Sequence, residues 1–179
     1  MKPFDPRRAE PGRYPRLEAA LATVNRDLAA TLPDQPPLRL VVWEEQVYVA
    51  VSDGSWHHNG LQEPDADAPD DLALTLALGL VADAAQETVT ERLWQAWPVC
   101  PFHKIGTHLR PEGTAVDWEG WNDGGSGRLV WWCRGGTADG CHDLAPVGEL
   151  GGALPGKERR ASRRRERKRG GGRGRAGEM

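Results

Sequence analysis

With 179 residues the chain has room for one compact domain, or for a small domain with a metal-stapled appendage, which excludes two large domains. The formal charge of −3 conceals an uneven division: residues 155–179 hold eleven basic and three acidic side chains (net +8), and residues 1–154 hold twelve basic and twenty-three acidic (net −11). A basic tail on an acidic body admits nucleic acid or an anionic surface as its partner, and equally a tail that folds back on the body or only keeps it soluble.

The predicted architecture is α+β: an extended N-terminus (1–14), an α-β-β-α body on a small antiparallel sheet (15–97), a β-hairpin module packed on it (98–150) and a disordered basic tail (151–179). Leu17, Leu21, Val24, Leu28 and Leu32 recur at spacings of three and four, predicting a helix from Pro15 to Leu32 that Pro33 ends. Residues 38–43 and 47–51 are rich in β-branched and aromatic side chains and predict two strands joined through Glu44-Glu45-Gln46. A short third strand is expected near Trp56-His57, then an acidic loop carrying Asp65 and Asp67. Leu72, Leu74, Leu76, Leu78 and Leu80 alternate as a strand would. The strong helix formers there favour a helix capped by Asp70 or Asp71 and continuing through Val81, Ala85, Val89, Leu93 and Trp97 to Pro98.

From Pro98 to Leu150 the composition turns to Gly, Trp, Cys and His, with too few aliphatic side chains for a conventional core. A strand is expected over residues 128–133, then a glycine-rich turn, then a return arm through Cys141-His142. The Gly/Arg-rich segment from Gly151 is expected to be disordered.

All three cysteines and three of the five histidines fall within residues 100–142. Thiolate and imidazole suit tetrahedral Zn²⁺, and a Cys-x2-His turn at Cys100 and His103 aims two such donors at one point. Cys133 supplies a third. Neighbours on an extended strand point to opposite faces, so one of Cys141 and His142 completes the set. The set is therefore Cys100, His103, Cys133 and His142, with Cys141 as the alternative fourth ligand and one structural zinc ion as the cofactor. Four protein ligands leave no position for water, which argues against catalysis. A zinc-dependent hydrolase with His108 or Asp143 as base is the lesser reading. His57 and His58 read as strand-end histidines, and Trp94, Trp97, Trp131 and Trp132 as packing between module and body. Trp118 and Trp121 occupy a polar loop.

Three cysteines are unsuited to a disulfide framework and fit a reducing compartment. No apolar run is expected to approach the roughly 18–20 residues that cross a bilayer, and Met-Lys-Pro-Phe-Asp-Pro-Arg-Arg lacks the apolar core of a signal peptide. Cytoplasm is the expected address, without a membrane partner. An unknown protein partner is expected, with nucleic acid the alternative through residues 157–175.

Trp-Pro-Val-Cys-Pro-Phe-His at 97–103, Trp-Trp-Cys at 131–133 and His-Asp-Leu-Ala-Pro-Val-Gly-Glu-Leu at 142–150 together resemble small bacterial proteins that carry a zinc-ribbon-like hairpin. The resemblance covers roughly residues 90–150. It implies a zinc module with Cys100, His103, Cys133 and His142 at the matching positions, and no known activity. Asp139-Gly140-Cys141, inserted before His142, departs from the pattern.

Overall fold

The computed structural model describes residues 5–65, 67–114, 127–135 and 140–157, with Arg160 and Arg164. Expectations for Trp118, Trp121, the turn at 136–139 and most of the basic tail lie outside the described residues.

The fold is α+β, helices with two three-stranded antiparallel sheets. In chain order the elements are β1 (Arg7–Arg8), α1 (Pro15–Thr31), β2 (Arg39–Trp43), β3 (Gln46–Ala50), α2 (Asp70–Leu93), β4 (His108–Pro111), β5 (Leu129–Cys133), β6 (His142–Pro146) and α3 (Leu150–Ala153). The first sheet has the order β1-β2-β3 and the second β4-β5-β6. Thus the third strand of the first sheet is β1, from the N-terminus expected to be merely extended, and not Trp56-His57. The β2–β3 connection is a two-residue turn in which Glu44 and Glu45 both have positive φ (48° and 66°), the twist that tight hairpins favour.

Helix α1 buries Leu17, Ala20, Leu21, Val24, Asp27 and Leu28 along one stripe. Pro15 opens it without costing a hydrogen bond, and Glu18 folds back to accept the Gly12 N–H at 2.8 Å. Helix α2 departs from expectation at both ends. Its N-cap is Pro69, with Asp70 and Asp71 already in the first turn, where their charge complements the helix dipole. It ends at Leu93, because Trp94 adopts the left-handed conformation (φ 52°) and Trp97 lies beyond the helix. Its inward side is built from Ala73, Ala77, Val81, Ala84, Ala85 and Val89, whereas Leu72, Leu74, Leu76 and Leu80 are exposed. Alanine stems let α2 lie close against α1. The helices run side by side in one direction: Arg16 pairs with Asp70 near their starts, and Trp97 Nε1, just past α2, donates to Oγ1 of Thr31, the last residue of α1, at 2.8 Å.

By length and composition α2 is apolar enough to cross a bilayer, contrary to the expectation of no such run; half of its apolar stretch is buried inside the fold. A core helix meets the same criterion.

The expectation that residues 98–150 cannot build a conventional core is also overturned. All five residues of β5 are buried. Leu129, Trp131, Ala145, Val147 and Leu150 belong to the same buried cluster as Leu17, Val24, Val49, Val81 and Val89. Aromatic area replaces aliphatic area, with Trp131 set edge-on against Trp97 at 5.6 Å. Order also extends past Gly151: Leu150 is buried, and α3 carries the chain across α1.

Candidate metal centre

Three separate segments deliver the donors. After the buried Trp97 and a cis Trp97–Pro98 peptide, a tight turn is closed by Cys100 N–H to Ile105 O and Lys104 N–H to Cys100 O, both 2.9 Å, with Lys104 left-handed (φ 59°). It brings Cys100 Sγ within 3.7 Å of His103 Nδ1. Cys133 ends β5, and its Sγ lies 3.4 Å from the same nitrogen. His142 begins β6, with Nε2 3.7 Å from Cys100 Sγ. The four donor atoms lie within 4.8 Å of one another, an arrangement that can hold a metal ion.

A bulge sets which side chain of β6 stands beside Cys133. Val130 pairs with Pro146 and Trp131 with Ala145, but Trp132 pairs with Asp143 and Cys133 with His142, so Leu144 is an extra residue on β6. Residues directly opposite in an antiparallel pair share a face. Without the bulge Cys133 would face Asp143; with it, His142 stands beside the thiol. The Cys141 thiol instead donates to Arg134 O at 3.1 Å.

The surroundings orient the donors. His142 Nδ1 lies 2.9 Å from Gly140 O; a proton there fixes the tautomer that leaves Nε2 free to ligate. The Gly135 N–H donates to Cys133 Sγ at 3.3 Å. Gly135 has φ 71°, and a Cβ on it would stand 2.4 Å from the Gly140 carbonyl carbon, so glycine is required where the two arms touch. Cys100 and Cys133 are fully buried. Burial chiefly, with the Cys100 sulfur adding to it, pushes the Cys133 thiol up against the lowering effect of the Gly135 N–H. A cation at the centre would reverse that balance, because a coordinating thiol is deprotonated.

The remaining predicted residues lie elsewhere. His108 is on β4 against Trp132, with ring centroids 5.8 Å apart; burial holds its pKa below the ordinary value, with Arg134 adding to this. The Asp143 carboxylate is held by Arg110 Nη2 at 2.6 Å, and that guanidinium covers Trp132. His58 is bonded to the backbone of β3. Asp65 accepts the Asp67 N–H. Trp97 and Trp131 pack the two halves as expected, but Trp94 is 86 % exposed.

Asp27, Arg110 and Gly135 were not singled out from the sequence. Asp27 had a signal: a carboxylate on the apolar stripe of α1, three residues after Val24 and beside Leu28. Arg110 and Gly135 act through pairings visible only in the fold. No protein-family model, curated protein or solved structure matches the chain.

Proposed function

We propose that Cys100, His103, Cys133 and His142 hold one structural zinc ion, and that the protein is a small zinc-stabilised interaction module without catalytic activity. The reading rests on the convergence of four donor atoms within 4.8 Å. Zinc–sulfur and zinc–nitrogen bonds of about 2.3 and 2.0–2.1 Å at tetrahedral angles give S···N edges of about 3.6 Å. The separations of 3.4, 3.7 and 3.7 Å bracket that value. Two thiolates with two imidazoles favour zinc over magnesium or calcium, which seek oxygen. A zinc-ribbon-like module over residues 98–150 is the fold we attach to the site.

Four protein donors complete a tetrahedral shell, so no water is activated. The hydrolase alternative also lacks a placed base: Asp143 is engaged by Arg110, and His108 lies on β4 against Trp132. We assign the protein to the cytoplasm, since three cysteines, an odd number read as metal ligands, suit a reducing compartment better than a disulfide framework. Its partner is a protein, with nucleic acid the second possibility, favoured by the net +8 of residues 155–179.

Metal analysis of protein purified without a histidine tag tests the central claim. About one zinc per chain is expected, lost in Cys100→Ala and Cys133→Ala. A metal-free, fully folded wild type overturns it. An exchangeable water on the bound metal would overturn the non-catalytic reading. If deleting residues 155–179 leaves nucleic-acid binding and its salt dependence unchanged, the tail has no such role.

A further inference from the structure

One edge of β3 pairs with β2, and among the described residues no strand covers the other. Residues 55–61 close it. The Val51 N–H donates to Ser55 O at 3.0 Å, and Val47 O accepts the Leu61 N–H at 2.7 Å. Between them the Val49 N–H donates to Nε2 of His58 at 2.9 Å. An imidazole thus stands where a neighbouring strand would present a carbonyl. Its Nδ1 contacts Asn59 O, so the ring proton sits on Nδ1 and leaves Nε2 as the acceptor. Val49 O is taken by Thr88 Oγ1 of α2 at 3.0 Å, and that hydroxyl also accepts the His57 N–H at 3.2 Å. Arg92 of α2 holds Trp56 O at 2.9 Å.

We infer that His58 is a pH-sensitive latch: neutral, it closes the open edge of β3, and protonated, it releases residues 55–61 from that edge. The chemistry is a donor–acceptor conflict. A proton on Nε2 removes the lone pair that receives the Val49 N–H and sets two donors face to face, leaving a buried amide without an acceptor. Val49 O, 3.3 Å from Nε2 and already bonded to Thr88, has a second lone pair that can take the new proton, but this gives the Val49 N–H no acceptor in place of the one it loses. Asp83 and Glu87 of α2 act on the ring, Tyr48 of β3 has its own ring 5.6 Å away, Glu91 of α2 and His57 line the same cavity, and the Arg92 guanidinium is engaged by Trp56 O. Asp83 and Glu87 favour the charged ring, but burial outweighs them and holds His58 below its ordinary value. A folded pKa below the unfolded one means that the unfolded state binds the proton more readily. The latch is therefore fully closed above roughly pH 6.5 and weakens as pH falls toward the lower folded value.

The test is an NMR titration of the full-length protein that follows the His58 ring and the exchange protection of the Val49 amide. Below pH ~6.5 Val49 protection, corrected for intrinsic rates, falls by up to about tenfold per pH unit as far as the midpoint of His58. His58→Gln, whose amide oxygen accepts the Val49 N–H at any pH, abolishes that dependence. Should this variant not fold, Asp83→Asn removes a neighbouring carboxylate and shifts the His58 midpoint and the Val49 transition downward together. Val49 protection that ignores His58, or follows the titration of His103 or His142, overturns the inference.

Discussion

Oδ2 of Asp27 lies 2.7 Å from Nε1 of Trp131, 104 residues further along the chain, with both side chains sealed from solvent. The same carboxylate accepts the Gly148 N–H at 2.6 Å through Oδ2 and the Leu150 N–H at 2.8 Å through Oδ1. One side chain of α1 thereby ties β5 and the entry to α3 to the body. Asp27→Ala leaves three donors unsatisfied and costs about 3 kcal/mol or more, measured by denaturant unfolding. Asp27→Asn supplies one oxygen where two are used, turns an N–H toward a donor, and costs about 1–3 kcal/mol.

The same carboxylate gives a pH signature. Burial pushes the Asp27 pKa up, against the lowering by its three hydrogen bonds and Arg26. With the folded value above the unfolded one, the native state binds the proton more readily. Its contribution is full below the ordinary carboxylate value of about 3.9 and is lost as pH rises through the folded value. Asp27→Asn removes that term. Stability measured from pH 4 upward should decline less with pH in the variant; an unchanged slope would show that Asp27 titrates at its ordinary value.

Gly135→Ala should damage the metal centre without touching a ligand. The added methyl meets the Gly140 backbone and sits at positive φ, so the arms carrying Cys133 and His142 must separate. Metal affinity is expected to fall by about 10–100-fold, the scale of an altered supporting shell. Competition with a chromophoric chelator measures it.

Cys141→Ser separates the two candidates for the fourth position. The Cys141 thiol bonds to Arg134 O and lies outside the four-donor cluster, so the variant should keep wild-type metal content. His142→Ala should lose metal affinity, because three donors remain. The reverse pattern in metal analysis would assign the site to Cys141.

The two sides of α2 should respond oppositely. Leu72→Gln and Leu76→Gln alter exposed positions and should change unfolding stability by no more than about 0.5 kcal/mol. Val81→Ala and Val89→Ala remove buried methyl groups at fully enclosed positions and should each cost about 1–3 kcal/mol. Chemical denaturation of the four variants decides it.

Local pattern determined α1 and the β2–β3 hairpin, where a period of three to four or a β-branched run states the element directly. It also determined which ligand types are present and that Cys100 and His103 share one turn, since a spacing of three is a local fact. The short elements were beyond its reach. β1 has two residues, β4 is His-Leu-Arg-Pro and α3 is Leu-Gly-Gly-Ala, and each exists because a partner accepts it. In α2 the leucines alternate as a strand would, yet the segment is helical, and close packing on α1 selects alanine and turns four leucines outward. The fourth donor was undecidable from spacing, because a one-residue shift on a strand exchanges its faces. The tertiary structure decided which of the two joins the cluster, through the extra residue at Leu144, which sets His142 opposite Cys133 and leaves Cys141 to Arg134.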